Sequence, residues 1–213
     1  MPATTTTSPI ADTASPATST GPAVRPAKRD SAATKRRIVD AAERVVLRDG
    51  VGHLTLEAAA TEAGLSKGGV LYHYPTRDAL VAAMVTRIIE QFEEDIDAFL
   101  PEPGSPEANR PGAYARAYVH ATLEPAAPGQ ERLGAALLAA AAAEPELLVP
   151  LQKAADGWQA RLEGDGLDIA LVTVLRMACD GLWMCDLFGL ASPRGDLRAA
   201  VGAAFEQMTR ATT

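Results

Sequence analysis

A run of apolar residues between positions 80 and 99 constrains the fold more than any other part of the sequence. Successive members are four residues apart, with one step of three at the end. Because an α-helix has 3.6 residues per turn, this spacing places the run on a stripe that winds slowly around one side of a single helix. A helix over 77–100 would measure on the order of 36 Å, long enough to join two domains. The run comprises Leu80, Met84, Ile88, Phe92, Ile96 and Phe99.

Helical patterning continues through the rest of the chain, and no segment shows the strict alternation typical of a β-strand. Clusters of proline and glycine divide the C-terminal part into separate helical segments. The sequence therefore predicts an all-α fold. The helices expected beyond the long one cover 113–123, 131–143, 146–163, 168–188 and 196–209.

Three shorter helical patterns precede the long helix. The first begins at Ile38 and ends near Gly50, because glycine readily adopts the left-handed backbone of a helix C-terminus. Thr55 is a suitable N-cap for a second helix, and Ser66 is one for a third that runs to about Tyr74. Two short helices joined by a glycine-containing turn are typical of a DNA-binding helix-turn-helix.

These patterns divide the chain into three parts. Residues 1–30 consist largely of Thr, Ser, Ala and Pro, a composition that predicts a disordered tail. Residues 31–78 form the expected three-helix DNA-binding domain, with the helix-turn-helix at 55–74. The long helix then leads into a helical domain that occupies 79–213.

The charge distribution supports a nucleic-acid partner for the N-terminal part. The whole chain has a net charge of −7, which alone argues against binding to a phosphate backbone. However, residues 25–77 contain ten Lys and Arg against six acidic residues, a net charge of +4, while residues 78–213 contain ten against twenty. The positive field therefore belongs to the segment that holds the helix-turn-helix.

The third helix carries the residues expected to read DNA bases. Gly68 and Gly69 would allow its N-terminal end to approach base edges closely, and Lys67 can donate to guanine O6 or N7. Phosphates are expected at the polar side chains and at the helix N-termini nearby. The predicted DNA contacts are Thr55, Ser66, Lys67, Gly68, Gly69, Tyr72, His73, Thr76 and Arg77. Arg36 and Arg37 are added to them as part of a basic arm. The alternative is that this arm is a solvated segment without a DNA contact.

Residues 63–68 read Ala-Gly-Leu-Ser-Lys-Gly, residues 73–75 read His-Tyr-Pro, and residues 76–80 read Thr-Arg-Asp-Ala-Leu. With these motifs, the segment from Ile38 to Leu80 resembles the DNA-binding domain of the tetracycline-repressor family. The tyrosine that the family carries in the third helix falls one position later, at Tyr72, and Leu71 occupies its usual place. The resemblance implies a homodimeric repressor of operator DNA, released by a small-molecule inducer in the C-terminal domain.

The C-terminal helices carry large apolar and aromatic residues among much alanine, as in many small-molecule sites. Packing within the core or at a dimer interface explains the same composition. Asp180 and Asp186 lie in an apolar helix and need a partner, such as Arg176, Arg116 or a cationic ligand. We therefore expect a hydrophobic inducer, with a cationic or aromatic compound as one option. The candidate ligand residues are Phe92, Tyr118, His120, Trp158, Met177, Asp180, Trp183 and Met184.

The last two predicted helices, 168–188 and 196–209, are the expected dimer elements. The final helix is rich in small residues that permit close helix approach, and the resemblance implies a four-helix interface. A two-fold dimer also places two recognition helices about one DNA turn, or a multiple of it, apart. The small residues are Ala199, Ala200, Gly202, Ala203 and Ala204.

Two other functions fit parts of the sequence. The sequence at 64–68, Gly-Leu-Ser-Lys-Gly, matches the nucleophile elbow of α/β-hydrolases. That motif needs a strand before the serine, whereas the preceding residues are alanine-rich helix formers, so we do not expect an enzyme. The second alternative is an architectural DNA-binding protein without a ligand pocket.

Neither a metal nor a cofactor is expected, because the three histidines, His53, His73 and His120, form no cluster with ligand spacing. The apolar segment at 167–190 contains charged residues that a bilayer would not tolerate, and no secretory signal is evident. Two isolated cysteines fit a reducing compartment. The expected location is the cytoplasm, with no membrane partner.

Overall fold

The computed structural model describes residues 27–210, and in this range the chain forms nine α-helices and two short 3₁₀ turns. No β-strand occurs among the described residues, and the predicted all-α class is confirmed. Residues 1–26, which hold most of the predicted disordered tail, lie outside the described residues. The helices are α1 (Ala27–Asp49), α2 (Leu56–Ala63), α3 (Lys67–His73), α4 (Arg77–Phe99), α5 (Ala113–Leu123), α6 (Gln130–Ala143), α7 (Val149–Glu163), α8 (Ile169–Phe188) and α9 (Asp196–Arg210), with 3₁₀ turns at Val51–His53 and Pro145–Leu148.

The first helix begins earlier than the composition of the tail suggests. α1 starts at Ala27, so positions 27–30, assigned to the disordered tail, are helical. The stretch from 27 to 37 is rich in Ala, Lys and Arg, which have high helix propensity. Extending an existing helix costs less than starting one, so the packed segment beginning at Ile38 propagates toward the N-terminus.

The seventh helix also differs from its predicted range of 146–163. The structure forms a 3₁₀ turn over Pro145–Leu148 and begins α7 at Val149. Pro150 explains the new boundary, because proline lacks an amide N–H and fits an α-helix only in its first turn.

The core of the DNA-binding domain draws on more of the chain than residues 31–78. Besides the apolar faces of α1, α2 and α3, it includes the N-terminal half of α4 and one face of α6. α6 therefore lies against the DNA-binding domain although the sequence places it in the other domain. The buried residues from α4 and α6 in this core are Leu80, Val81, Met84, Leu133, Leu137, Ala140 and Ala141.

A second core lies between the C-terminal half of α4 and helices α5, α7 and α8. Ile89 and Ile96 represent α4 in it, together with Tyr118, Leu162 and Leu175. α4 is thus buried in both cores, as its apolar repeat predicts. α4 is therefore the helix that the two cores share.

Candidate nucleic-acid interface and ligand site

The turn between α2 and α3 is shaped by side-chain caps and one glycine. The hydroxyl oxygens of Thr55 and Ser66 accept hydrogen bonds from amides three residues onward, at 3.0 and 3.1 Å. Gly64 has a φ of +63°, a left-handed conformation that other residues rarely adopt. Arg37 of α1 donates to the Gly64 carbonyl at 3.2 Å, while Arg36 is exposed. The two caps, the Gly64 turn and the hydrogen bond from Arg37 thus fix the orientation of α3 in the domain.

Ser66 lies between two helices, with α2 before it and α3 after it. A nucleophile elbow requires a strand before the serine. The structure therefore contradicts the hydrolase alternative at this motif.

The outer face of α3 is open to solvent. Val70 is buried against the core, whereas Tyr72 is 84% exposed and Leu71 is 38% exposed. The Tyr72 ring packs edge-on against His73, with ring centroids 5.0 Å apart. Leu71 occupies the family's usual tyrosine position and Tyr72 follows it, and Tyr72 presents more surface to an external partner.

Neither the backbone conformation nor the packing of the chain requires glycine at positions 68 and 69. Neither has a positive φ, and a Cβ at Gly68 would meet only the Ser66 hydroxyl, at 4.0 Å. At Gly69 the nearest atom would be the same hydroxyl, at 3.4 Å. The two glycines thus leave a shallow, accessible stretch of backbone at the exposed start of α3.

Lys67, the predicted base-reading residue, forms an ion pair with Glu57 of α2. The bond from Lys67 lowers the pKa of the Glu57 carboxyl. Both side chains are more than half exposed. The ammonium group of Lys67 has three N–H donors, so the contact with Glu57 leaves two of them for another acceptor.

Arg77, a predicted DNA contact, makes several contacts within the chain. Its Nε and Nη2 atoms donate to the carbonyl oxygens of Leu54 and Val51, both at 3.2 Å. Its Nη1 lies 3.6 Å from the Glu144 carboxylate at the end of α6. Thr76 caps α4 through a 3.0 Å bond from the amide three residues later. Arg77 therefore joins α4 to the DNA-binding domain and to α6.

Further polar contacts connect the two domains. Arg87 of α4 pairs with Asp40 of α1 and lies 3.5 Å from Glu43. Burial raises the pKa of the Glu43 carboxyl, an effect that Arg87 partly opposes. Arg132 of α6 donates to the Leu47 carbonyl of α1 at 2.7 Å. An open cavity of about 520 Å³ lies among α1, α4 and the loop before α6. Sequence reasoning missed these contacts because the partners are far apart in the chain.

In the C-terminal domain, Phe92, Tyr118 and Trp158 meet in an aromatic cluster. Phe92 makes edge contacts with Tyr118 at 5.2 Å and with Trp158 at 5.1 Å between ring centroids. Tyr118 and Trp158 are 6.2 Å apart. Three of the residues proposed from the sequence, on α4, α5 and α7, are thus brought together.

Asp180, a fourth predicted residue, joins this cluster through hydrogen bonds. The Tyr118 hydroxyl donates to Asp180 at 3.1 Å, and Arg176 donates to the same carboxylate at 2.6 Å. Burial, and then the Asp180 charge, raise the pKa of the Tyr118 hydroxyl well above its usual range. Asp186 instead pairs with Arg198 at 3.0 Å. Both carboxylates of the apolar helix therefore have an arginine partner.

The other four predicted ligand residues lie outside the aromatic cluster. His120 is exposed and stacks on Phe99, with ring centroids 5.2 Å apart. Trp183 is half-buried, without a ring contact among the described aromatic pairs. Met177 is 61% exposed and Met184 is 40% exposed. The two methionines share an outward face of α8 rather than a pocket wall.

Sequence reasoning also missed parts of this site. A groove of about 300 Å³ lies between α4 and α7, lined by Trp158 together with Glu93, Lys153 and Arg161. The Arg161 guanidinium carbon lies 4.1 Å from the centre of the Tyr114 ring. Tyr114 precedes Tyr118 by four residues, about one helical turn. This spacing in the sequence could have indicated that the two rings lie on the same side of α5.

Within residues 27–210, no helix combines the length and apolar character needed to cross a bilayer. The same described residues contain no cluster of three or more His, Cys, Asp or Glu side chains placed to bind a metal ion.

The chain is similar to the HTH-type transcriptional regulator TtgR of Pseudomonas putida, with 33% identity over 67 residues. That alignment covers 32% of each protein, so the chain spans about a third of the length of this curated relative. Crystal structures of the multidrug binding protein EbrR are similar over most of the chain. The ethidium complex has 25% identity and a TM-score of 0.62, covering 83% of this chain and 98% of EbrR. The malachite green complex has 27% identity and a TM-score of 0.62, covering 83% and 96%.

Two family descriptions match separate parts of the chain. Residues 38–84 match "Bacterial regulatory proteins, tetR family", and residues 112–210 match "Tetracyclin repressor-like, C-terminal domain". The first covers the helix-turn-helix and the start of α4, and the second covers α5 to α9. The chain therefore belongs to the tetR family of bacterial regulatory proteins, which are DNA-binding transcriptional regulators.

Proposed function

We propose that the chain is a homodimeric repressor that binds operator DNA through α3 and leaves it when an aromatic small molecule binds beside Phe92, Tyr118 and Trp158. The observation that carries this proposal is the open face of α3. Its two adjacent glycines are required neither by backbone conformation nor by packing. Close approach by another molecule explains them, as expected for a helix that enters the major groove.

The DNA contacts divide into two kinds. Lys67 is the base-reading residue, because its ammonium group can donate to guanine with the N–H groups that Glu57 does not engage. Tyr72 and His73 donate to phosphate oxygens, and the N-termini of α2 and α4, next to Thr55 and Thr76, supply further phosphate sites. Arg36 adds a sequence-independent contact, whereas Arg77 acts by positioning α4.

The homodimer forms through α8 and α9. α8 has an outward apolar face that includes Val174, Met177, Met184 and Phe188, each at least 40% exposed in the single chain. Covering such a face removes apolar surface from water, which favours association. The dimer then holds two α3 helices at the spacing of successive major grooves.

The ligand is an aromatic compound held by the aromatic cluster. EbrR was crystallised with ethidium and with malachite green. These two structures share the fold of this chain, at 25% and 27% sequence identity. Edge contacts with three rings suit a flat ligand. A cationic ligand would compete with Arg176 for Asp180, so charge contributes less than ring stacking.

Release from DNA follows from the shared position of α4. A ligand that separates Phe92 from Trp158 displaces α4, whose N-terminal half is buried in the DNA-binding core. Arg87 and Arg132 carry the displacement to α1. The ligand-bound dimer then has a different separation of the two α3 helices, and it fits the operator less well.

A mobility-shift assay on DNA upstream of the protein's own gene tests the proposal across a salt series. We expect specific binding that weakens steeply with salt, and a loss of at least about tenfold in Lys67→Ala. A Lys153→Ala control, on α7 far along the chain, should bind as the wild type does. No specific binding to any upstream fragment would contradict the proposal.

Ligand binding needs a separate measurement without DNA, because ethidium itself intercalates into DNA. Ethidium fluorescence should report saturable binding by the full chain. Phe92→Ala should weaken it by about tenfold or more, since an aromatic contact and its buried area are lost. Equal affinity of the variant and the wild type would place the ligand elsewhere.

A further inference from the structure

Two polar atoms in the C-terminal domain are buried without a hydrogen-bond partner among the described residues. They are the Trp158 Nε1 and the Tyr114 hydroxyl oxygen. The two side chains are only 8% and 6% exposed. Buried polar atoms are nearly always hydrogen-bonded, because an unbonded one has lost its contacts with water without replacement. An acceptor placed next to the Trp158 N–H would therefore supply a hydrogen bond that the chain itself does not.

Trp158 separates the aromatic cluster from the groove between α4 and α7. Its ring makes edge contacts with Phe92 and Tyr118, and the same residue lines the groove. Arg161 also lines the groove and lies over the Tyr114 ring. The Trp158 Nε1 therefore belongs to a residue at the junction of cluster and groove, whereas Tyr114 meets the groove only through Arg161. A ligand that spans the junction would reach the Trp158 N–H after the indole ring turns toward the groove.

The groove determines which chemical group would bind there. An indole N–H can only donate, so its partner must be an acceptor. Lys153 and Arg161 contribute two positive charges to the groove, against one negative charge from Glu93. Asp97 lies 3.9 Å from Arg161 and offsets part of that charge, whereas Lys153 has no ion pair among the described residues. An anionic oxygen fits this combination better than a cation does.

We propose that the α4–α7 groove is the end of the ligand site that binds a carboxylate carried by an aromatic ligand, with the Trp158 N–H donating to its oxygen. This inference rests on the proposed ligand-responsive function and specifies the ligand class. The ring system occupies the cluster, and the carboxylate lies toward Lys153. Cationic dyes such as ethidium, which carry no carboxylate, fill the cluster alone.

Three probes of matched shape test the proposal: 2-naphthoate, 2-naphthamide and 2-methylnaphthalene. Isothermal titration calorimetry of the full chain should give about tenfold tighter binding of 2-naphthoate than of 2-methylnaphthalene, with 2-naphthamide between them. Trp158→Phe keeps an aromatic wall but removes the donor. It should reduce the preference for 2-naphthoate over 2-methylnaphthalene to about threefold or less. This ratio is the readout, because the smaller ring of phenylalanine weakens the binding of both ligands.

Trp183→Phe is the matched control, because it removes the chain's other tryptophan, which lies outside both cluster and groove. It should keep the full preference. If Trp158→Phe fails to fold by circular dichroism, Lys153→Gln serves instead, since Lys153 is exposed. This variant should weaken 2-naphthoate binding by about threefold or more and leave 2-naphthamide unchanged.

Equal affinity of the wild type for 2-naphthoate and 2-methylnaphthalene would overturn the inference. A preference that survives in Trp158→Phe, or in Lys153→Gln where that variant is used, would do the same. These outcomes leave operator binding in the mobility-shift assay intact. Failure of the proposed function appears instead as loss of operator binding by the wild type.

Discussion

At the scale of single residues, we predict that the ion pair between Lys67 and Glu57 limits DNA affinity. In the free protein Glu57 engages one of the three N–H donors of Lys67, and its carboxylate places a negative charge beside the proposed base-reading residue. Glu57→Gln should therefore tighten binding to operator and to unrelated DNA by about threefold or more, since it removes both effects. Fluorescence anisotropy at fixed salt measures both affinities. Glu62→Gln is the control, because Glu62 of α2 pairs instead with Arg44 and Arg48 of α1. Unchanged affinity in Glu57→Gln would show that the pair imposes no such cost.

Gly68 separates the requirements of folding from those of DNA binding. Gly68→Leu should leave the melting temperature unchanged or slightly raised, because nothing crowds this position and leucine favours a helix more than glycine does. The side chain should nevertheless hold α3 away from the groove and weaken operator binding by about tenfold or more. Gly52→Leu, at another uncrowded glycine of the domain, controls for added bulk. Wild-type operator affinity in Gly68→Leu would mean that this backbone does not approach DNA.

At the scale of helices, the start of α5 depends on a residue from a distant loop. The Asp165 carboxylate accepts hydrogen bonds from the amides of Tyr114 and Ala115, at 3.0 and 2.8 Å. Asp165→Ala leaves these amides without acceptors and should lower the free energy of unfolding by about 1–3 kcal/mol. Urea denaturation measures the change. Asp156→Ala, at an exposed aspartate of α7, should change it by less than about 0.5 kcal/mol. Equal stabilities of the two variants would refute the capping role.

The same contrast explains which helix boundaries the sequence predicts. Thr55 and Ser66 cap their helices as expected, because each bond joins groups three residues apart, and Thr76 caps α4 in the same way. The hydrogen bonds by which Asp165 caps α5 join positions about fifty residues apart, so local sequence patterns cannot predict them. The packing of α6 against the DNA-binding domain was missed for the same reason.

At the scale of the whole molecule, the structure brings together four of the eight residues that the sequence predicts to bind a ligand. Phe92, Tyr118, Trp158 and Asp180 do come together, whereas Met177 and Met184 point outward. α8 is apolar on two faces, and periodicity shows which residues share a face without showing what covers it. The inner face carries Val172, Leu175, Cys179 and Leu182, and the outer face carries Val174, Met177, Met184 and Phe188.

The outer face of α8 leads to a prediction about assembly. Met177→Asp places a charge in the centre of this face, so it should make the protein monomeric in analytical ultracentrifugation, because burying an unpaired carboxylate is costly. Operator affinity should fall by about a hundredfold or more, since one DNA-binding domain then acts without its partner. Val149→Asp is the matched control: Val149 is 56% exposed but lies at the start of α7. It should remain dimeric and bind the operator normally. A dimeric Met177→Asp protein would assign the two-fold interface to another surface, and a monomeric Val149→Asp protein would move it toward α7.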